Sequence, residues 1–170
     1  MCEAHEFHLF EGGHMLKIDI PGYGPVKLEY LVSDFTGTLS VDGRLVPGLK
    51  EKMHSTSKLL NIHILTADTF GMAMAELKGI SCETHIITGR DHDVQKELYL
   101  KKLGAENVVA LGNGINDRKM LRLAKIGIAV CLNEGCAKDA FSASDLLVTS
   151  ALDAFDLLLN TKRLTATLRF

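Results

Sequence analysis

The segment 28–40, LEYLVSDFTGTLS, joins an apolar run to a polar turn that contains glycine. Its first part, 28–32, is typical of a strand buried in a sheet, and Asp34 stands just beyond the end of that run. Two later segments have the same plan: NIHILT at 61–66 precedes Ala67-Asp68, and NVVALG at 107–112 precedes NGIND. The same pattern, a buried strand followed by a polar loop, therefore occurs three times in the chain.

Helical patterns lie between these strands, and Gly104 is a typical stop signal after one of them. Strands that alternate with helices predict a mostly parallel sheet covered on both faces, a three-layer Rossmann-like α/β fold. Asp42-Gly43 predicts a small β-hairpin flap within 39–46. Strands are predicted at 15–20, 28–32, 61–66, 83–88, 107–112, 126–130 and 145–149, and helices at 47–60, 70–78, 93–103, 116–124, 134–141, 151–160 and 163–170.

Composition and charge narrow the class of protein. The chain has 170 residues, 46% apolar and 24% charged, which is typical of one globular domain. We predict a polar extension over 1–14 and a single domain over 15–170. A net charge of -2 argues against a nucleic-acid-binding surface. There is no apolar run of the ~18 residues that a spanning helix needs, no secretion signal and no C-x-x-C spacing, so we expect a cytoplasmic protein with no membrane partner.

Polar clusters follow three of the predicted strands. They contain Asp34, then Thr66 and Ala67, then the loop GNGIND at 112–117. In parallel sheets ligands bind at the carboxyl ends of the strands, so these clusters are expected to meet at one edge. Each cluster alone is equally well explained as turn-forming residues. Together, a carboxylate, a hydroxyl, a helical lysine and a second acidic loop are typical of a site for phosphoryl transfer.

The order of these strings resembles a known family. DFTGTL, LTAD, a helical lysine and GNGIND resemble the four motifs of the haloacid dehalogenase superfamily, which consists mostly of magnesium-dependent phosphatases. DFTGTLS, TAD and GNGIND are most similar to the phosphorylation domain of P-type ATPases. Only residues 35–65 separate Asp34 from Thr66, which leaves no room for a nucleotide-binding domain or a cap domain. The resemblance implies a stand-alone, cap-less phosphatase rather than an ion pump.

The resemblance also implies a role for each matching residue. Asp34 would be the nucleophile that forms an aspartyl-phosphate, and Thr66, with Ala67, would hold a phosphoryl oxygen. Lys96, on the helix 93–103, would neutralise negative charge, with Lys101 and Lys102 as competing positions. Asn116 would hydrogen-bond the phosphoryl group, or else simply cap the helix that follows.

Magnesium is the cofactor that the resemblance implies. Its ligands would be the Asp34 carboxylate, the Thr36 carbonyl and a side chain of the GNGIND loop, either Asn113 or Asp117. An Asn at 113 stands where the pumps have a metal-binding Asp, so we expect metal affinity to fall unless Asp117 takes the role.

The second departure is Thr36, which stands where most phosphatases of the superfamily have a general acid. A threonine cannot supply the ~10²- to 10⁴-fold rate gain of general acid–base catalysis. We expect a phosphatase with slow breakdown of the phospho-enzyme. The alternative is a phosphorylatable or binding module with little turnover.

Partners and competing motifs complete the sequence-based expectations. The open site predicts a phosphate-ester substrate, either a small molecule or a phosphoprotein, and it allows a homo-oligomer in which a neighbouring subunit completes the pocket. A dinucleotide-binding loop at GNG is disfavoured because Asp117 stands at the third glycine position. Cys131 and Cys136 lack a second Cys/His pair and are not expected to bind metal.

Overall fold

The computed structural model describes residues 14–68 and 70–170. The predicted extension 1–14 lies outside the described residues apart from His14. None of the helices within the described ranges is long and apolar enough to cross a membrane.

A six-stranded, fully parallel sheet forms the centre of the domain, with strand order β10-β9-β8-β3-β6-β7. β3 is central and pairs with β6 on one side and β8 on the other. Two antiparallel hairpins, β1–β2 and β4–β5, lie outside this sheet. The strands are β1 (Leu16–Ile20), β2 (Gly24–Leu28), β3 (Tyr30–Ser33), β4 (Ser40–Val41), β5 (Arg44–Leu45), β6 (Asn61–Thr66), β7 (Glu83–Ile86), β8 (Val108–Gly112), β9 (Ile126–Val130) and β10 (Leu146–Val148).

Helices cover both faces of the sheet, so the predicted three-layer α/β fold is confirmed. Side chains alternate between the two faces along each strand, as the period of two requires. Leu31 and Ile64 face one core, whereas Val32 and Leu65 face the other. The helices are α1 (Leu49–Thr56), α2 (Ala73–Glu76), α3 (His92–Leu103), α4 (Arg118–Leu123), α5 (Lys138–Ala143), α6 (Ala151–Leu159) and α7 (Thr161–Leu168).

The insertions at the carboxyl edge of the sheet are short. Between β3 and α1 the chain forms only the β4–β5 flap, as the Asp42-Gly43 signal predicts. Between β6 and β7 the described residues contain only the four-residue helix α2. Two carboxylates hold the flap: Glu134 accepts the Asp42 N–H at 2.8 Å, and Glu76 accepts the Leu45 N–H at 2.9 Å. Neither insertion, as far as the described residues go, is large enough for a cap domain.

Several predicted boundaries were wrong, two of them because of the local backbone conformation. The helix predicted at 70–78 is reduced to Ala73–Glu76 because Gly71 adopts a positive φ of 67° before it. The helix predicted at 134–141 begins only at Lys138 because Gly135 has a φ of 83° and Ala137 is extended. The helix predicted at 47–60 ends at Thr56. The chain before Asp34 forms two strands, β2 in a hairpin and β3 in the sheet.

Candidate active site

The polar loops after β3, β6 and β8 lie at the same edge of the sheet because these three strands are parallel neighbours. Asp34 is the first residue after β3 and is 5% exposed. Its backbone N–H donates to the carbonyl of Leu111 on β8 at 3.0 Å, which ties the start of this loop to the neighbouring strand. The Phe35 carbonyl accepts the N–H groups of Leu39 and Ser40 and so folds DFTGTLS into a compact turn.

Lys96 lies between two carboxylates at this edge. Its Nζ donates to Asp34 Oδ1 at 2.6 Å and to Asp117 Oδ1 at 2.7 Å, and the side chain is fully buried. Helix α3 presents Lys96 and Leu100 on its buried side, whereas Lys101 is half exposed and pairs with Glu97. The structure therefore brings Lys96, and not Lys101, to Asp34.

Burial and charge act against each other in this network. Burial raises the pKa of Asp34 to about 7, with Lys96 opposing the rise and Asp117 adding to it. Burial alone lowers the pKa of Lys96, but Asp117 and Asp34 together hold it above its ordinary value. The two carboxylates therefore favour the cationic form of Lys96, and the group of three carries a net negative charge when both carboxyls are ionised.

Asp117 organises the loop after β8. Its Oδ2 accepts the N–H groups of Asn113 at 3.0 Å and Gly114 at 2.9 Å, while its Oδ1 accepts Lys96. Both carboxylate oxygens are engaged, and the side chain is fully buried. Asp117 in this arrangement orients Lys96 and fixes the loop. A Cβ at position 112 would lie 2.6 Å from the Asp117 carboxyl carbon, which explains the glycine there.

Asn113 is connected to Asp34 through the hydroxyl of Thr38. The Nδ2 donates to the Gly135 carbonyl at 3.1 Å, and Oδ1 accepts the Thr38 hydroxyl at 3.1 Å. Thr38 also lies 3.5 Å from Asp34 Oδ2 and so bridges the two residues. Gly37, at a φ of 76°, packs directly against this amide, and any side chain there would clash with it. Sequence reasoning missed Thr38, although its position inside DFTGTL was a usable signal.

The residues at this edge fit a hard divalent cation such as magnesium. Asp34 Oδ2 and Asn113 Oδ1 are oxygen donors linked through Thr38, and the Thr36 carbonyl lies in the same turn. Asp117, the alternative loop ligand, already accepts hydrogen bonds from Lys96 and from two backbone N–H groups. Asn113 is the better placed of the two loop residues.

The remaining predicted site residues surround this centre. Thr66, at the end of β6, is fully buried, and its hydroxyl accepts the Asp68 N–H at 2.9 Å. Ala67, Thr36 and Asn116 are each half-buried. Asn116 lies in a short 3-10 helix, Ile115–Asp117, and the residue that precedes α4 is Asp117. Asn116 is therefore not the cap of α4.

Hydrolases of the haloacid dehalogenase (HAD) superfamily are among the solved structures that share this fold. The 3-deoxy-D-manno-octulosonate 8-phosphate phosphatase from Moraxella catarrhalis, in complex with magnesium, phosphate and a KDO molecule, is 22% identical with a TM-score of 0.58. The match covers 84% of this chain and 94% of that one. A zinc-transporting PIB-type ATPase is also 22% identical, with a TM-score of 0.57, over 72% of this chain and 20% of that chain. The fold is that of the haloacid dehalogenase superfamily.

One curated protein is a closer relative in sequence. The uncharacterized protein MJ0073 of Methanocaldococcus jannaschii is 41% identical over 80 residues, which are 45% of this chain and 86% of that protein. The chain belongs to the same family as this archaeal protein. No protein-family model matches the chain.

Proposed function

We propose that this protein is a phosphatase that hydrolyses phosphate monoesters through an aspartyl-phosphate on Asp34, with magnesium as its cofactor. The observation that carries the proposal is the buried Asp34–Lys96–Asp117 network beside Asn113 and Thr66 at the carboxyl edge of the sheet. Phosphatases that share the fold support it.

In the first step a carboxylate oxygen of Asp34 attacks the phosphorus, and the bond between phosphorus and the leaving oxygen breaks. Lys96, held by Asp117, offsets negative charge on Asp34 and on the phosphoryl group as they approach. Two negative charges ~4 Å apart repel by ~4 kcal/mol at an effective dielectric of 20, so a fixed ammonium ion at this point matters. Thr66 and the N–H of Ala67, at the end of the neighbouring strand β6, would bind phosphoryl oxygens.

In the second step water hydrolyses the aspartyl-phosphate and restores Asp34. Thr36 cannot protonate the leaving oxygen or activate this water, so the leaving group takes its proton from solvent and both steps are slow. Asp34, the Thr36 carbonyl and Asn113 would hold magnesium, which supplies electrostatic stabilisation for the transferring phosphoryl group. The single acidic ligand in this set predicts weaker metal binding than a site with two.

The substrate that we propose is a small phosphate ester rather than a phosphoprotein. A surface cleft lined by Arg90, His92, Asn116 and Arg118 adjoins the loop after β8. Two carboxylates, Asp91 and Asp93, also line the cleft, and Arg118 pairs with Asp93 at 2.9 Å, so the charge of the cleft is mixed. Its guanidinium groups can still donate hydrogen bonds to a phosphate. The octulosonate phosphatase with this fold acts on a small sugar phosphate, as its name states, which supports the same class here.

The test is hydrolysis of an aryl phosphate with magnesium, followed by intact-mass measurement of the protein. We expect turnover that chelation removes and that Asp34→Asn abolishes. Asp19→Asn, on the exposed side of the β1–β2 hairpin, is the matched control and should hydrolyse at the wild-type rate. A stable phosphoryl adduct without turnover would favour the phosphorylatable module instead. With neither turnover nor adduct, both functions are excluded.

A further inference from the structure

A second cluster of metal-ligating side chains lies on the β6–β7 flank of the sheet, away from the Asp34 network. It consists of His63 on β6 and of Glu83 and His85 on β7, with one ligand atom from each lying within 4.8 Å of the others. β7 is the edge strand of the sheet. We name these three residues the β6–β7 cluster. We propose that it binds a divalent transition-metal ion of the zinc type.

The strand register creates this cluster. β6 and β7 are parallel, with His63 paired to Glu83 and Leu65 paired to His85. Glu83 and His85 are two residues apart on one strand, so their side chains project from the same face of the sheet. His63 joins them from the neighbouring strand. All three donors therefore come from rigid elements rather than from a loop.

Two of the three ligand–ligand distances suit a small tetrahedral site, and the third lies within 4.8 Å. Glu83 Oε2 lies 3.6 Å from His63 Nδ1 and 3.5 Å from His85 Nε2. Metal–ligand bonds of ~2.1 Å in a tetrahedron place neighbouring ligand atoms ~3.4 Å apart. Two imidazole nitrogens and one carboxylate oxygen are a donor set that zinc prefers and that leaves a fourth position open. Magnesium prefers oxygen ligands, so the two sites would select different metals.

One ligand of the cluster is buried, and the other two are accessible to solvent. The His63 side chain is 4% exposed, while those of His85 and Glu83 are 38% and 47% exposed. Tyr30 packs edge-on against the His63 ring at 5.6 Å between ring centroids, which holds the buried ligand in place. An ion can therefore reach the cluster from solvent and meet one imidazole that is already oriented.

Tyr99 on α3 currently links the two histidines. Its hydroxyl lies 2.8 Å from His63 Nδ1 and 2.7 Å from His85 Nε2. One hydroxyl can donate to one imidazole and accept the N–H of the other, a hydrogen-bond pattern that two neutral rings can make, and the neutral form of imidazole is the one that binds metal. An entering ion would displace the hydroxyl from at least one nitrogen.

The test is zinc titration of the full-length protein, purified without a histidine tag and stripped with a chelator, in competition with a chromogenic zinc indicator. We expect one zinc equivalent that His85→Ala removes and Glu83→Gln weakens. For His85→Ala the loss should exceed the ~10- to 100-fold cost of deleting an outer-shell partner. Both variants change exposed side chains, so folding is preserved and circular dichroism verifies it.

Matched controls separate this site from other imidazoles. Two control variants are His54→Ala, at an exposed position of α1, and the double variant His5→Gln/His8→Gln. Both should still bind the zinc equivalent that His85→Ala loses. Zinc should also raise the thermal midpoint of the wild type and not that of His85→Ala. The proposal is overturned if wild type and His85→Ala bind zinc with equal stoichiometry and affinity, or if the wild type binds none.

Discussion

The carboxyl edge of the sheet and the β6–β7 flank solve the problem of buried polar groups in opposite ways. At the carboxyl edge, Lys96 holds two carboxylates together, so the group is charged and depends on mutual neutralisation. In the β6–β7 cluster, the hydroxyl of Tyr99 links two imidazoles that need no charge. Removing one member of the charged group leaves an uncompensated buried charge, whereas removing a member of the neutral group costs a hydrogen bond and, for the buried His63, the packing around its ring. Stability and function are therefore expected to be tightly coupled at the first site and separable at the second.

The largest effect is expected for Lys96→Met, which keeps the volume of the side chain and removes its charge. Asp34 and Asp117 would then face each other without a cation, and breaking such a buried pair costs ~3 to 5 kcal/mol of unfolding free energy. Urea denaturation measures this loss, and phosphatase activity should disappear with it. Lys101→Met, on the exposed side of the same helix, should change stability by less than ~0.5 kcal/mol. If Lys96→Met and Lys101→Met lose the same unfolding free energy, the buried charge network at the carboxyl edge does not control stability.

The second prediction concerns Thr36→Asp and changes rate rather than stability. A carboxyl at this position can protonate the leaving oxygen and then activate water, so turnover of an aryl phosphate should rise by ~10²-fold or more. Thr36→Asn, which has the same size and cannot transfer a proton in this way, is the control and should stay slow. Steady-state hydrolysis with magnesium checks both variants. If Thr36→Asp hydrolyses no faster than the wild type, the missing general acid does not limit the rate.

The third prediction compares the two histidines of the β6–β7 cluster in the metal-free protein. His63→Ala empties a buried position between Tyr30 and Tyr99 and should cost ~2 to 3 kcal/mol of unfolding free energy. His85→Ala removes one hydrogen bond at a partly exposed site and should cost ~1 kcal/mol or less. Urea denaturation with a chelator present measures both losses. A larger loss for His85→Ala would contradict the assignment of His63 as the buried ligand that packing holds in place.

The two sites also differ in how far the sequence predicts them. The strand-to-loop transitions at Asp34, Thr66 and Asn113 identify one edge of a parallel sheet, and the resemblance assigns the helical lysine to Lys96 while leaving Lys101 and Lys102 as competitors. Asp34, Thr66 and Asn113 come together because each follows a strand of the same parallel sheet, and Lys96 lies on a helix of the same unit. Each of these positions can be read from the sequence around it. What the sequence does not predict is that Asp117 engages both of its oxygens with Lys96 and the loop, since that depends on the folded path after β8.

The β6–β7 cluster leaves no comparable signal in the sequence. His63 lies inside a run that predicts only a buried strand, and Glu83 and His85 lie in another. Their meeting depends on β7 pairing with β6 in a register that places His63 beside Glu83. Strand order and register are long-range properties, and a shift of one residue would turn Glu83 and His85 to the other face. The helices at α2 and α5 were predicted too long because positive-φ glycines, Gly71 and Gly135, interrupt the helical pattern.

The smallest effect is expected for Tyr99→Phe, which removes only the hydroxyl between the two imidazoles. In the metal-free protein this variant loses a half-buried hydrogen-bonding link, so the unfolding free energy should fall by ~1 kcal/mol. Zinc affinity should move the other way, because the ion no longer has to displace that hydroxyl. If zinc binding to the wild type breaks the hydrogen bonds of this hydroxyl, worth ~1 kcal/mol, Tyr99→Phe avoids that cost. Its zinc affinity should then be higher by up to ~5-fold, since 1.4 kcal/mol corresponds to tenfold. The two measurements are urea denaturation with a chelator and zinc competition without one.

If Tyr99→Phe binds zinc more weakly than the wild type, the tyrosine is instead a fourth ligand. Equal affinities would mean that the hydroxyl stays hydrogen-bonded in the zinc-bound protein.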